Sequence, residues 1–302
     1  MIIDFYKTND EISNIIDRGN PASILRIDNT MGYILDSLYE NKSLNPQFFG
    51  PVSFIQGGIY PLDEKYYKEV IVPNIKKCID KCDMLGFADS YHQIRKGNYI
   101  KEFDNKHVFM GEDFLVMDPG ALLSYSNQFG KVKEPWTKKL KNKKVLVIST
   151  HAESIKKQWD VIEKIWGDHK NDIVPFELVD VIRSPYHPEM DNRQPPNCSH
   201  WLESVNYIKE LMDTYNYDVL LSGSSTSSPF YCDHAKLTGK IGIQTGGTIQ
   251  IFFGILGYRW TKGIGYENWQ KMFNEHWIKP LEIDEPQNRQ KYINLETNFA
   301  YW

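Results

Sequence analysis

Three stretches of this chain repeat one pattern: an unbroken apolar core, a short run of small polar residues, then apolar positions at helical spacing. Lys143-Lys-Val-Leu-Val-Ile-Ser149 leads into Thr150 and His151, and Ile155, Trp159, Ile162, Ile165 and Trp166 follow on one helical face. Tyr217-Asp-Val-Leu-Leu-Ser-Gly223 empties into Ser224-Ser-Thr-Ser-Ser228, and Pro229 then opens a helix, the position proline favours. Ile241-Gly-Ile-Gln244 runs through Thr245-Gly-Gly-Thr248 into an apolar helical stretch that ends near Trp260. A strand core without polar alternation is one buried on both faces, as in a parallel sheet covered by helices. The pattern predicts an α/β fold with an open, mostly parallel sheet flanked by helices, in two lobes with a cleft between them.

Elsewhere the periodicity predicts a helix over Asp10–Arg18 and a buried strand at Ala22-Ser-Ile-Leu-Arg-Ile27 that carries Arg26 inside it. A buried arginine is costly unless it is paired or its head reaches a cleft. A helix through Tyr33–Tyr39, a loop at Gly57-Gly-Ile-Tyr-Pro61, a helix over about 63–82, strands at Asp83–Phe87 and His107–Met110, and a turn at Asp118-Pro119-Gly120 follow. These divide the chain into an N-terminal α/β lobe, 1–135, a nucleotide-binding lobe, 136–262, and a C-terminal helix and aromatic tail, 263–302. Arg183–Ser199 is long, proline-rich and without periodicity, as lids and mobile loops are. Its Arg183, Tyr186, His187 and Arg193 are groups that stack on a base or grip a phosphate.

The Thr245-Gly246-Gly247-Thr248 turn has an anion-binding layout. Glycines let the backbone approach a ligand closely, and the unpaired N–H groups at a helix start face what sits there. In an open parallel sheet the loops after the strands share one edge, where ligands bind. Ser149, Thr150, Ser224, Ser225, Thr226, Thr245 and Thr248 therefore converge from distant parts of the chain, with Gln250 one turn further on. Each alone reads better as a helix cap; as a group they read as a site for a diphosphate. For an acid/base group the candidates are Asp28, His151 and Glu153. His151 lies just past a strand end, and Glu153 is either a base or a first-turn carboxylate favoured by the helix dipole.

At 302 residues and a net charge of −4, the composition favours neither nucleic acid nor an anionic membrane as partner. No apolar run approaches the length of a membrane span, and charge interrupts the N-terminal stretch too early for a secretory core. The expected location is cytoplasmic. The four cysteines lack zinc spacing and read as free thiols.

Four stretches resemble GT-D-type glycosyltransferase-like proteins of bacterial and viral surface-polysaccharide gene clusters: Ser23-Ile-Leu-Arg-Ile-Asp-Asn-Thr-Met31, Gly57-Gly-Ile-Tyr-Pro61, Pro135–Ile148 and Gly246–Trp260. The last is the most specific. The resemblance implies a Rossmann-like fold that binds a nucleotide-sugar donor and transfers the sugar to an acceptor hydroxyl, on a glycan or a lipid-linked acceptor. Arg26, Asn29 and Thr30 of the first motif and Arg259 of the last then join the substrate-binding set. A divalent cation, Mg or Mn, would accompany the nucleotide sugar, with no metal ligands assigned on the chain. Two positions depart from the family pattern: Met31 stands where relatives carry Glu, and Thr150-His151 where they carry Pro-Phe. A non-catalytic nucleotide- or glycan-binding protein is the alternative, whereas an NAD-dependent oxidoreductase is disfavoured because no Gly-x-Gly-x-x-Gly follows an early strand.

Overall fold

The protein is described by a computed structural model over residues 2–3, 5–27, 31, 57–87, 107–110, 134–262 and 270–292. Among the described residues eight strands, β1 (Ile2–Ile3), β2 (Ala22–Ile27), β3 (Met84–Phe87), β4 (His107–Met110), β5 (Lys144–Ser149), β6 (Glu177–Arg183), β7 (Val219–Gly223) and β8 (Ile241–Gln244), form one sheet. Every pairing is parallel, in the order β1-β4-β3-β2-β8-β7-β5-β6. The strands of the first 135 residues join those of the second part where Ile24 pairs with Ile243. The predicted open parallel α/β architecture is therefore the observed one.

Side chains alternate across each strand, so each strand feeds two cores. One face carries Ile24, Val145, Val147, Val219, Leu221, Ile241 and Ile243. It is covered by α1 (Phe5–Arg18), by the Ala152–Trp166 region and by the segment from Ile249 to Trp260. The other carries Leu25, Ile27, Leu85, Leu146, Ile148 and Leu220, under helices contributed by 64–81, 201–212 and 228–237. The helix after β5 lies on the first face and the helix after β7 on the second, so the two connections diverge at the β5–β7 border. That is the topological switch point at which open α/β sheets bind ligands.

Several helices are more broken than the periodicity predicts. The 63–82 helix is α2 (Glu64–Tyr66), a π turn at Tyr67–Ile71, and α3 (Val72–Lys81). Pro73, at the start of α3, lacks an N–H and its ring crowds the carbonyl four residues back, which widens the preceding turn. The helix after β5 is α4 (Ala152–Trp159) followed by α5 (Ile162–Trp166) and then α6 (Lys170–Ile173). β6 and α7 (Trp201–Met212) were not anticipated; α8 (Ser228–Leu237) begins one residue before Pro229 as expected. The apolar run after β8 is not one helix: α9 spans only Ile249–Phe252, Gly254 turns the chain at φ 65°, and Ile255 bridges to Ile278 before α10 (Tyr258–Lys262). The last described helix is α11 (Arg289–Tyr292). The predicted helix at 33–39 and the turn at 118–120 lie outside the described residues. No helix among the described residues is long and apolar enough to cross a membrane. All four cysteines are free thiols, as expected, and burial pushes Cys78 up to about 12.

Candidate functional site

Parallel pairing puts the carboxyl ends of β2, β5, β7 and β8 on one edge of the sheet, with the loops after β5, β7 and β8. Ser149 is in register with Gly223, and Ser222 with Gln244. The connections are tightly packed. A Cβ on Gly223 would lie 2.6 Å from Ile249 Cγ2 and 2.9 Å from the Gly246 carbonyl oxygen, so the turn after β8 rests on the end of β7. Arg26 enters from β2. Its backbone N–H donates to Gln244 Oε1 at 3.0 Å and its guanidinium Nη1 to the Thr245 carbonyl at 3.5 Å.

The glycine that the turn requires is Gly246. It has φ 60°, and a side chain there would fall on the Arg26 guanidinium. The sequence places the close approach at Gly247, which lies outside the positive-φ set and is half-buried, with Gly246 and Thr248 buried on either side of it. Gly247 is thus where the backbone of this turn reaches solvent, while Gly246 is where it wraps a cation.

Most of the predicted hydroxyls brace the loops. Ser149 Oγ accepts from the His151 N–H at 3.1 Å. Ser224 Oγ donates to the Ile148 carbonyl at 3.4 Å, Thr226 Oγ1 to the Gly57 carbonyl at 2.7 Å and Thr248 Oγ1 to the Thr245 carbonyl at 2.8 Å. All of these are buried, as is Thr245. Thr150 and Ser225 are half-buried and remain at the surface of the edge. Ser225 takes φ 45°, a conformation that a non-glycine residue adopts at a cost of order 1–3 kcal/mol and that clusters at functional turns. The Thr226 bond also draws the Gly57–Pro61 loop to this edge, and the Trp201 N–H donates to the Tyr60 carbonyl at 2.9 Å.

His151 is buried and has partners on both nitrogens. Nε2 lies 3.1 Å from Gln250 Nε2, and Nδ1 lies 3.2 Å from Thr150 Oγ1. Gln250 in turn accepts the Trp260 Nε1–H on its Oε1 at 2.8 Å. Glu153 is elsewhere engaged: its carboxylate is partly exposed and sits 3.9 Å from Lys156 on the same helix. Arg259 packs its guanidinium over the Trp260 ring, 5.9 Å from the centroid. Asp28, Asn29 and Thr30 lie outside the described residues.

The start of α4 is filled by the protein's own anion. Asp284, fully buried, accepts from the Glu153 N–H at 3.1 Å, the Ser154 N–H at 2.7 Å and the Ser154 hydroxyl at 2.6 Å. Sequence reasoning missed this residue, since its partners lie about 130 positions away and leave no local signal. The 183–199 loop is likewise fastened. Arg193 chelates Asp191 at 2.7 Å from Nε to Oδ1 and from Nη2 to Oδ2, and reaches the carbonyls of Ile283 and Glu285. Arg183 stands 3.7 Å from Asp284. Both arginines therefore bind this strap, in place of the phosphate grip predicted for them. Tyr186 is buried in the same loop, and burial pushes its phenol up, against the hydrogen bond of Thr150 and the charge of Arg183.

His187, edge-on to Tyr60 at 5.9 Å and accepting the Glu189 N–H on Nδ1 at 3.1 Å, is pushed down to about 4 by burial. A histidine with a lowered folded value is protonated first in the unfolded chain, so its contribution is complete above pH 6.5 and is lost as pH falls from there towards 4. Between pH 7 and 4.5 the loss is expected to be roughly 2–3 kcal/mol. Urea unfolding of the wild type and His187→Gln at both values checks this, the variant lacking that part of the acid loss. An equal acid loss in both would remove His187 as its source.

No group of three or more His, Cys, Asp or Glu side chains among the described residues could hold a metal ion. Among the described residues, the edge brings together the buried Arg26 guanidinium, a half-buried glycine turn and the half-buried Thr150 and Ser225. Compared with family models, curated proteins and solved structures, the chain matches none.

Proposed function

We propose that this chain is a glycosyltransferase that moves a sugar from a nucleotide-sugar donor to an acceptor hydroxyl in glycan or polysaccharide biosynthesis. The observation that carries this reading is the meeting at one sheet edge of residues from the four stretches on which the family resemblance rests. Arg26 wraps under Gly246, Thr226 holds Gly57, and Ser224 holds the end of β5 at Ile148. In the reaction the bond between the sugar's anomeric carbon and the diphosphate breaks, the acceptor oxygen bonds to that carbon, and the acceptor proton leaves to a base. Charge builds on the departing diphosphate. A fixed guanidinium and backbone N–H groups that need no reorganisation stabilise it. Asp28 is the assigned base; both ring nitrogens of His151 have other partners. No step is routed through a divalent cation.

The binding-only alternative is favoured by one observation: Met31, which occupies the position of the family glutamate, is fully buried in an apolar cluster. Turnover separates the two readings. A panel of nucleotide sugars that yields no transfer and no hydrolysis, with nucleotide binding intact, selects the alternative.

Binding itself is tested at Gly247. Titrating uridine diphosphate by calorimetry into the wild type and Gly247→Val should show affinity about tenfold or more weaker in the variant, because a β-branched side chain blocks the only half-buried part of the turn. Since Gly247 lies outside the positive-φ set, the melting temperature should change little. Unchanged affinity, or a lower melting temperature with unchanged affinity in the folded fraction, defeats the phosphate assignment.

A further inference from the structure

We propose that the hydroxyl this edge keeps for its ligand is that of Thr245, and that the phosphate oxygens of the ligand bind at the turn after β8, beside Arg26, instead of at the start of the helix after β5. The other places an anion would take are filled. The start of α4 holds the Asp284 carboxylate, which accepts the Glu153 and Ser154 N–H groups and the Ser154 hydroxyl. At the start of α8, Ser228 Oγ accepts the Ser224 N–H and the Ser222 hydroxyl, each at 2.9 Å. The hydroxyls of Ser149, Ser224, Thr226 and Thr248 are engaged with the backbone, and that of Thr150 with His151 and the Tyr186 phenol.

Thr245 differs from all of these. Its N–H donates to the Ser222 carbonyl at 2.8 Å, and its own carbonyl accepts from Thr248 Oγ1 at 2.8 Å and from Arg26 Nη1 at 3.5 Å. Its side chain is fully buried, yet Oγ1 has no hydrogen-bond partner among the described residues. A buried hydroxyl without a partner costs stability that a valine of the same shape would not, and a fold keeps such costs where function needs them. Two strained residues lie beside it: Gly246 at φ 60° and, in the turn after β7, Ser225 at φ 45°. The two turns touch, since the Gly246 carbonyl packs against Gly223. Strain and unmet polar capacity are thus concentrated at the β7 and β8 turns, next to a buried guanidinium. A phosphate oxygen, which only accepts, suits a hydroxyl that has its hydrogen to give. Because Oγ1 is enclosed, the ligand reaches it by parting the turn, and Gly246 and Gly247 are where the backbone shifts at least cost. The nucleotide identity of the ligand rests on the proposed function; the unmet hydroxyl does not.

Thr245→Val and Thr245→Ser test this by two readouts that move in opposite directions. Without ligand, the valine variant should melt about 2–4 °C above the wild type, since it deletes an unmet polar group and keeps the shape. In calorimetric titration it should bind uridine diphosphate about tenfold more weakly, with the serine variant close to the wild type. A valine variant that melts at or below the wild type means that the hydroxyl is already satisfied in the folded protein, and overturns the proposal. Unchanged affinity in that variant overturns it as well. If the wild type binds no uridine diphosphate, the nucleotide reading falls by itself, and inorganic pyrophosphate is titrated in its place. A tenfold loss for pyrophosphate in the valine variant sustains the anion contact at Thr245, whereas no binding, or equal binding by both proteins, overturns it.

Discussion

Replacing Asp284 by alanine is expected to lower stability by about 3–5 kcal/mol, as removal of one member of a buried charged network does. The carboxylate is fully buried and receives three short hydrogen bonds from Glu153 and Ser154 at the start of α4, with Arg183 at 3.7 Å. Truncation leaves two backbone N–H groups and the Ser154 hydroxyl without this acceptor at the positive end of the helix, and leaves Arg183 with Asp191 but without the second carboxylate beside it. Asp284→Asn keeps one accepting oxygen but sets an NH₂ against a donor, and is expected to cost about 1–3 kcal/mol. Urea denaturation of the three proteins measures both. A loss under about 1 kcal/mol in the alanine variant would mean that water replaces the carboxylate, and that the strap at 281–285 does not hold α4.

The same network shows why part of the site was hidden in the sequence. Asp284 stands in a segment with no periodic pattern, and its function as a cap exists only when the chain from beyond 270 folds back onto β5 and α4. The strands that place the site were legible for the opposite reason. β2, β5, β7 and β8 lie inside the sheet, so both faces must be apolar and the runs at Ala22–Ile27, Val145–Ile148, Val219–Leu221 and Ile241–Ile243 stand out. β6 is a border strand with Glu177 exposed and Leu178, Val179 and Asp180 only partly covered, and its polar positions mask the run. α7 did carry a helical signal in Trp201, Val205, Ile208 and Met212, spaced for one face and preceded by a His200–Glu203 capping box. It was obscured by the proline-rich segment before it.

Hydroxyl chemistry was legible as a group and illegible one residue at a time. Ser149, Ser224, Thr226 and Thr248 are inward-facing braces, while Thr150 and Ser225 stay half-buried at the same edge. Which side of a turn a serine faces depends on backbone dihedrals that composition does not encode. The long apolar helix expected after Thr248 failed for a comparable reason. Gly254 takes a left-handed φ so that Ile255 can bridge to Ile278, and this tertiary pairing outweighs the local helical preference. With α9 only four residues long, the macrodipole available to a phosphate is small, and the guanidinium of Arg26 takes its place as the main positive charge of the turn.

That substitution of a side-chain charge for a helix dipole makes Gly246 the most sensitive position at the edge. Gly246→Ala is expected to lower stability by about 3–5 kcal/mol. Two costs combine: an alanine at φ 60° is strained by about 1–2 kcal/mol, and its Cβ would fall on the guanidinium, forcing a buried cation away from the Thr245 carbonyl. A double-mutant cycle separates them. In an Arg26→Ala background the same glycine substitution meets no guanidinium, and its cost should shrink to the backbone part, about 1–2 kcal/mol. The coupling of about 2–3 kcal/mol between two residues 220 positions apart in sequence is then the thermodynamic signature of the wrapped arginine. Additive losses would mean that Arg26 has room to move aside and that Gly246 is required by its dihedral angle alone. In that case the guanidinium is not held at the turn, and the stabilisation of a departing diphosphate by Arg26 falls with it.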